Sequence, residues 1–210
     1  EAIDDAVTEV ANVSAALTTE ESQMLDKLSG WAESARNRPD TKAQAIIDWL
    51  EEKLRPGGQW NGERVILFTE YLATHSWLQE ILSGHGFGGD RLMVMHGGVD
   101  SEERDQVTAA FQANPDVSPV RILLATDAAS EGIDLQNHCR YMIHVEIPWN
   151  PNVMEQRNGR IDRFGQKYPE EFIWHPVGKG FKPVDDDGEV KVGALEGDHE
   201  YLMRAVKKVE

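Results

Sequence analysis

From residue 61 onward the chain alternates short apolar runs with helical stretches, and this rhythm limits the folds open to it. Arg64-Val65-Ile66-Leu67-Phe68, Arg91-Leu92-Met93-Val94-Met95, Val120 to Ala125, Tyr141 to Ile147 and Phe172-Ile173-Trp174-His175 read as strands. Runs that are apolar throughout, rather than at every second residue, suit strands buried on both faces of a parallel sheet. Between them, Leu72 to Leu82 reads as a helix with Leu78, Ile81 and Leu82 on one side. A second helix is capped by Asp100, with Glu103 three residues on and Val107, Ala110 and Phe111 facing inward. Strand and helix in alternation predict an α/β fold, a parallel sheet with right-handed crossovers and flanking helices. Ligand chemistry then belongs beyond the carboxyl ends of the strands. The loops Thr69-Glu70, His96-Gly97-Gly98, Thr126-Asp127 and Pro148-Trp149 all follow strands directly.

The first sixty residues read differently. Ile3, Val7 and Val10 share a helical face; Thr18 with Glu21 forms a capping box ahead of Met24, Leu25, Leu28 and Trp31. Thr41 with Gln44 reads as another, ahead of Ile46, Trp49, Leu50 and Leu54, and Pro56-Gly57-Gly58 ends that pattern. Residues 178–198 read as a surface excursion or hairpin, and Asp198 as the cap of a last helix with Leu202, Ala205, Val206 and Val209. The expected organisation is a helical arm over residues 1–40, an α/β domain over 41–177, and the excursion with its helix over 178–210. Glu1 is not a start methionine and no signal peptide is visible, so the chain reads as a piece of a longer protein. No apolar run approaches the roughly 18 residues of a membrane span. The single Cys139 fits a reducing cytoplasm.

A net charge of −16 argues against a free-standing nucleic-acid binder held by a broad basic face. The basic residues are unevenly chosen. Residues 61–166 hold eight Arg and no Lys, and three of those Arg lie within 157–163. In the run Glu155-Gln156-Arg157-Asn158-Gly159-Arg160-Ile161-Asp162-Arg163-Phe164-Gly165-Gln166, Asn150 caps the helix and Pro151 fits its first turn. On a helix Arg160 and Arg163 point the same way, and paired guanidinium forks suit a phosphate chain. With no phosphate-binding loop nearby, they read as arginine fingers for a nucleotide held mostly by something else. The segment Ala125-Thr126-Asp127-Ala128-Ala129-Ser130-Glu131-Gly132-Ile133-Asp134 offers small residues for close approach. It also offers the Thr126 hydroxyl for a phosphate oxygen, Gly132 for a positive-φ turn, and Asp134 for ribose hydroxyls. The plain alternative is a strand-to-helix loop with Asp127 as an N-cap. For the scattered arginines the plain alternative is genome composition; for Arg104, a surface ion pair with Glu103 or Asp105; for Trp149, loop packing rather than base stacking. The histidines show no metal-ligand spacing with Cys139, so no metal site is expected.

The order Phe68-Thr69-Glu70, His96-Gly97-Gly98 with Arg104, Thr126-Asp127-Ala128-Ala129-Ser130-Glu131-Gly132, then Gln156…Gly159-Arg160…Arg163…Gly165-Gln166 resembles the C-terminal RecA-like lobe of superfamily-two helicases. The Arg-x-x-Arg-x-Gly-Gln ending is similar to the Swi/Snf branch. Gly159 before Arg160 and the Ala-Ser-Glu-Gly run resemble its bacterial members, such as RNA-polymerase-associated and anti-phage defence ATPases. The resemblance covers roughly residues 40–175. It implies that Arg160 and Arg163 contact the γ-phosphate of ATP bound to the partner lobe, and that Gln156 links nucleotide state to lobe closure. It places Gly132 and Asp134 near ribose and triphosphate, although Asn is frequent at the latter position in the Swi/Snf branch. It assigns Thr69 and Thr126 to the phosphodiester backbone of the tracked strand, with His96 and Gly97 in a loop close to it. The cofactor implied is ATP with Mg, held mainly by an N-terminal RecA-like lobe. The partners implied are that lobe, nucleic acid (duplex DNA on the Swi/Snf-like ending), and RNA polymerase or defence-system proteins, with no membrane.

The chain contains no Gly-x-x-x-x-Gly-Lys-Ser/Thr loop and no Asp-Glu box for magnesium. Phosphoryl transfer needs a cradle and a metal as well as fingers, so the isolated chain is expected to be inactive. The rival expectation is a non-enzymatic RecA-like scaffold for protein interactions. It accounts for the charge and the missing cradle but not for the arginine pair in register with the loops.

Overall fold

The computed structural model describes residues 17–127 and 133–176. The readings at Ile3, Val7 and Val10, at Gly132, and over 178–210 lie outside the described residues. The chain divides into two compact units, Glu1–Arg38 and Pro39–Glu210.

In the first unit, helix α1 (Thr19–Ala35) opens on the expected capping box. The Thr18 side chain accepts from the Glu21 amide at 3.3 Å, and the Glu21 carboxylate accepts from the Thr18 amide at 2.8 Å. No residue of α1 is buried, and Met24, Leu25, Leu28 and Trp31 are exposed.

The second unit begins with α2 (Thr41–Leu54). Its cap is Asp40, whose carboxylate accepts from the Ala43 amide at 2.7 Å. The Thr41–Gln44 box does not form: Thr41 is already inside the helix, and Gln44 reaches forward to Asp48 at 2.8 Å. Aspartate caps as well as threonine and lies one residue earlier. Gly57 and Gly58, both at positive φ, turn the chain away from the helix end at little steric cost.

The strands β1 (Val65–Thr69), β2 (Leu92–Met95), β3 (Ile122–Thr126), β4 (Tyr141–His144) and β5 (Phe172–Trp174) alternate with α3 (Leu72–Leu82), α4 (Ser101–Gln112) and α5 (Pro151–Asn158). They form one five-stranded sheet in the order β2-β3-β1-β4-β5, and every pair is parallel. Central β1 and β3 are buried at every residue, which is why their sequence shows no polar alternation. Alternate residues supply two cores. Val65, Leu67, Ile122, Leu124 and Ile143 pack with Ile46, Leu50 and Leu54 of α2 and with Leu78, Ile81 and Leu82 of α3. Ile66, Phe68, Leu123, Ala125 and Met142 pack with Val107 and Phe111 of α4 and with Ile161. Trp49 stacks on Trp174, with centroids 6.3 Å apart, and so ties edge strand β5 to α2.

Two of the scattered arginines have structural work at the amino ends of the strands. Arg64, fully buried, donates to the carbonyls of Val120 at 3.0 Å, Ala113 at 2.6 Å and Phe111. Arg121 donates to Asn61, Ser118, Val120 and Pro115 carbonyls at 2.6 to 2.9 Å. Burial first, and then the neighbouring Arg121, push the Arg64 guanidinium down to about 10. Carbonyls left over at the end of α4 and in the loops that lead into β1 and β3 thereby find donors.

The burial pattern sets an expected contrast. Leu50→Ala, at a site with no solvent exposure, costs about 2–5 kcal/mol, whereas Leu28→Ala on α1 costs less than about 0.5 kcal/mol. Urea denaturation of the two variants measures both; equal losses would contradict this packing.

Candidate nucleotide and nucleic-acid site

The carboxyl ends of β1 and β3 lie side by side, with Thr69 in register with Thr126. The loops after β1, β3 and β4 and helix α5 meet there. Asn150 caps α5 by accepting from the Asn152 amide at 3.0 Å, and Pro151 takes the first helical position. Met154, Arg157 and Ile161 are the inward residues, at helical spacing.

The helix ends at Asn158, before either expected finger. Arg160 and Arg163 therefore do not share a helix face; this corrects the spacing argument that paired them. Gly159, a weak helix former, opens a set of tighter turns, with Arg160 N donating to Arg157 O at 2.9 Å and Ile161 N to Asn158 O at 3.1 Å. Gln166 pins the far end by donating to the carbonyls of Cys139 and Ile161, both at 3.0 Å. Gly165, at φ 97°, permits the bend that leaves Phe164 wholly exposed.

The two guanidinium groups still converge, through tertiary contacts rather than helical phase. Arg160 Nη1 donates to the Ile133 carbonyl at 3.4 Å, and the Leu135 amide donates to the Arg160 carbonyl at 3.1 Å. Arg163 forms an ion pair with Asp134, both side chains being about half exposed. Asp134, expected near ribose, thus engages Arg163 in this arrangement. Gln156 is exposed on α5.

The expected backbone-contacting residues divide. His96 is half-buried, accepts from the Gly98 amide at 3.1 Å through Nδ1, and sits edge-on to His75; Gly97 is exposed. Thr69 is fully buried with Oγ1 unpartnered, so a phosphate contact by its hydroxyl requires the loops to part, and Thr126 is nearly buried. Trp149 is exposed. Arg104 is half-buried with Nε unpartnered, and among the described residues it makes no ion pair with Glu103 or Asp105.

The sequence reading gave Arg157 no role, yet it organises the site. At 2 % exposure its Nε and Nη2 donate to the two oxygens of Asp127 at 2.6 and 2.7 Å. Nη1 donates to the Glu146 carbonyl at 2.9 Å and lies 3.3 Å from His144 Nδ1. The guanidinium also lies over the Phe68 ring, 5.3 Å from its centroid. Asp127 therefore receives the Arg157 fork. The one available signal was spacing: an arginine at the inward position between Met154 and Ile161 must find buried partners.

His144 and His175 complete the cluster, stacked at 4.6 Å. Burial, then His175 and Arg157, lower His144 to about 3. Burial, then Arg157, lower His175 to about 4. Both rings are neutral near pH 7. His144 Nδ1 then accepts from Arg157, and its Nε2–H donates to Asn158 Oδ1 at 2.9 Å.

The chain belongs to the helicase conserved C-terminal domain family, whose model matches residues 42–165. It is a superfamily-two C-terminal RecA-like lobe of the Swi/Snf type. Over 128 residues it is 39% identical to the uncharacterized ATP-dependent helicase YqhH of Bacillus subtilis (strain 168), covering 61% of this chain and 20% of that protein. Over 120 residues it is 32% identical to the RNA polymerase-associated protein RapA of Yersinia pestis (strain Pestoides F), covering 57% of this chain and 12% of that protein. The chain thus spans a fifth or less of these curated relatives. Its fold is shared with the C-terminal part of the Fun30 ATPase domain, at a TM-score of 0.56 and 17% identity, over 80% of this chain and 53% of that one. It is shared also with domain 2 of the DEAD-box helicase Mss116p, solved bound to an RNA duplex, at a TM-score of 0.53 and 18% identity, over 64% and 49%.

The neutral histidine pair predicts a pH dependence. Free histidine titrates near 6.5, so below that value the unfolded chain binds more protons than the folded one, and stability falls as pH falls from about 6.5 towards about 4. The slope is at most about 1.4 kcal/mol per pH unit for each ring. Melting temperatures across that window measure it. A His144→Gln/His175→Gln variant should show a flatter profile; an equally steep one would refute the assignment.

Proposed function

We propose that this chain is the second motor lobe of an ATP-dependent nucleic-acid translocase or helicase acting on duplex DNA. The carrying observation is the convergence of the Arg160 and Arg163 guanidinium groups on residues 133–134, in the segment that leads from β3 to β4. The two groups fit a polyphosphate: both are fixed-charge forks, one half-exposed, the other held by a single long bond to a carbonyl. In this reading ATP with Mg is held mainly by an N-terminal RecA-like lobe. Bound there, it supplies the transferable phosphoryl group and the metal charge. Arg160 and Arg163 stabilise negative charge developing on that group, Gln156 senses the closed cleft, and Gly132 and Asp134 lie beside ribose and phosphates. Exchange of Asp134 for a phosphate oxygen would free Arg163, since an exposed ion pair is worth only about 0–1 kcal/mol.

His96 and Gly97, with Thr69 and Thr126 once the loops part, contact the phosphodiester backbone without reading bases. The acidic balance, −16, assigns most nucleic-acid affinity to other parts of a longer protein. The division into an arm over 1–40, a lobe over 41–177 and an appendage over 178–210 is part of the same reading. So are a bacterial cytoplasmic setting and RNA polymerase or defence proteins as partners. Among the described residues no helix is long and apolar enough to cross a membrane.

The test is Arg160→Ala and Arg163→Ala in a full-length protein containing this lobe. An arginine finger is worth roughly 10³–10⁵ in rate, or about 4–7 kcal/mol. Each variant should lose most nucleic-acid-stimulated ATP hydrolysis, and the isolated chain should show none. Unchanged rates would contradict the fingers and favour a protein-binding scaffold.

A further inference from the structure

Arg157 is the only one of the three clustered arginines that is buried, and it touches both sets of site loops. Its fork clasps Asp127, the residue after Thr126 at the end of β3. Its third arm holds the carbonyl of Glu146, beyond β4. The Glu146 carboxylate in turn receives the Glu70 amide at 2.7 Å and the Thr74 hydroxyl at 2.6 Å. One continuous set of bonds therefore runs from Thr69-Glu70 through Glu146 and Arg157 to Thr126-Asp127. Arg157 also sits one turn before Arg160, whose amide donates to the Arg157 carbonyl at 2.9 Å. Any shift of the strand-end loops must move this guanidinium or break its bonds. A bidentate clasp on a buried guanidinium resists breaking, because an uncompensated buried charge is far costlier than a lost surface contact.

We propose that Arg157 is a positioning residue that couples nucleic-acid contact at the Thr69 and Thr126 loops to placement of the Arg160 finger. This rests on the motor reading above. When a phosphodiester backbone parts the two loops, Asp127 and Glu146 move together, and the helix end carrying Arg160 follows. The stacked histidines keep the coupling stiff, since His144 holds both Arg157 and Asn158 at the end of α5. Arg157 touches neither nucleotide nor nucleic acid; it sets where the groups that touch them stand.

The experiment uses the full-length protein with a duplex DNA oligonucleotide as the probe. Lysine keeps the charge of Arg157→Lys but cannot clasp a carboxylate with two parallel bonds. Stimulation of ATP turnover by the duplex should fall by about tenfold or more, within the usual range of coupling between sites. The change in duplex affinity on adding ATP should shrink in parallel, since coupling in binding is reciprocal. Asp127→Asn, which keeps the shape and removes the charge, should do the same and serves if Arg157→Lys does not fold. Wild-type stimulation in both variants would overturn the proposal. So would basal and stimulated rates falling in equal proportion with the folded fraction, the signature of a merely structural role. A wild-type protein whose hydrolysis ignores duplex DNA would instead sink the motor reading itself, an outcome read before any variant is made.

Discussion

A guanidinium with no route to solvent imposes its terms on everything around it. Arg157 is removed from water at a cost of several kcal/mol, recovered only while Asp127 and the Glu146 carbonyl are both in place. Those partners sit beyond two different strands, β3 and β4. The helix end, the β3 loop and the β4 loop therefore form one unit that is correct or broken as a whole. The half-exposed Arg163 and the loosely held Arg160 inherit their placement from this buried neighbour.

The arginines of the sheet domain divide by end. At the amino ends Arg64 and Arg121 donate to backbone carbonyls, closing the hydrogen-bond accounts of loops that approach the sheet. At the carboxyl ends Arg157 addresses Asp127 and the Glu146 carbonyl, while Arg160 and Arg163 address residues 133–134 in the segment that leads into β4. Both roles suit arginine better than lysine. A planar fork satisfies several carbonyls at once, and a single ammonium does not.

Much of the architecture was legible beforehand because it follows from local chemistry. Uninterrupted apolar runs at 65–69 and 122–126 suit strands shielded on both faces, and they are such strands. The Thr18 box and the Asp100 and Asn150 caps formed where a short polar side chain precedes a helical pattern. At Thr41 the same logic chose one residue too late, since Asp40 competed for the cap. The overrun of α5 past Asn158 had another source. Helical phase was extended through Gly159, where propensity is low and Gln166 holds the following turns from a distance.

The sequence by itself determined the fold class, the order of the motifs and the identity of the residues at the strand ends, because these depend on periodicity and neighbours within a few positions. Only the tertiary structure decided the strand order β2-β3-β1-β4-β5, the adjacency of Thr69 and Thr126, the pairing of Arg163 with Asp134 and the burial of Arg157. Each of these joins residues tens of positions apart. Their energies come from desolvation and from geometry across strands, quantities that no local pattern encodes.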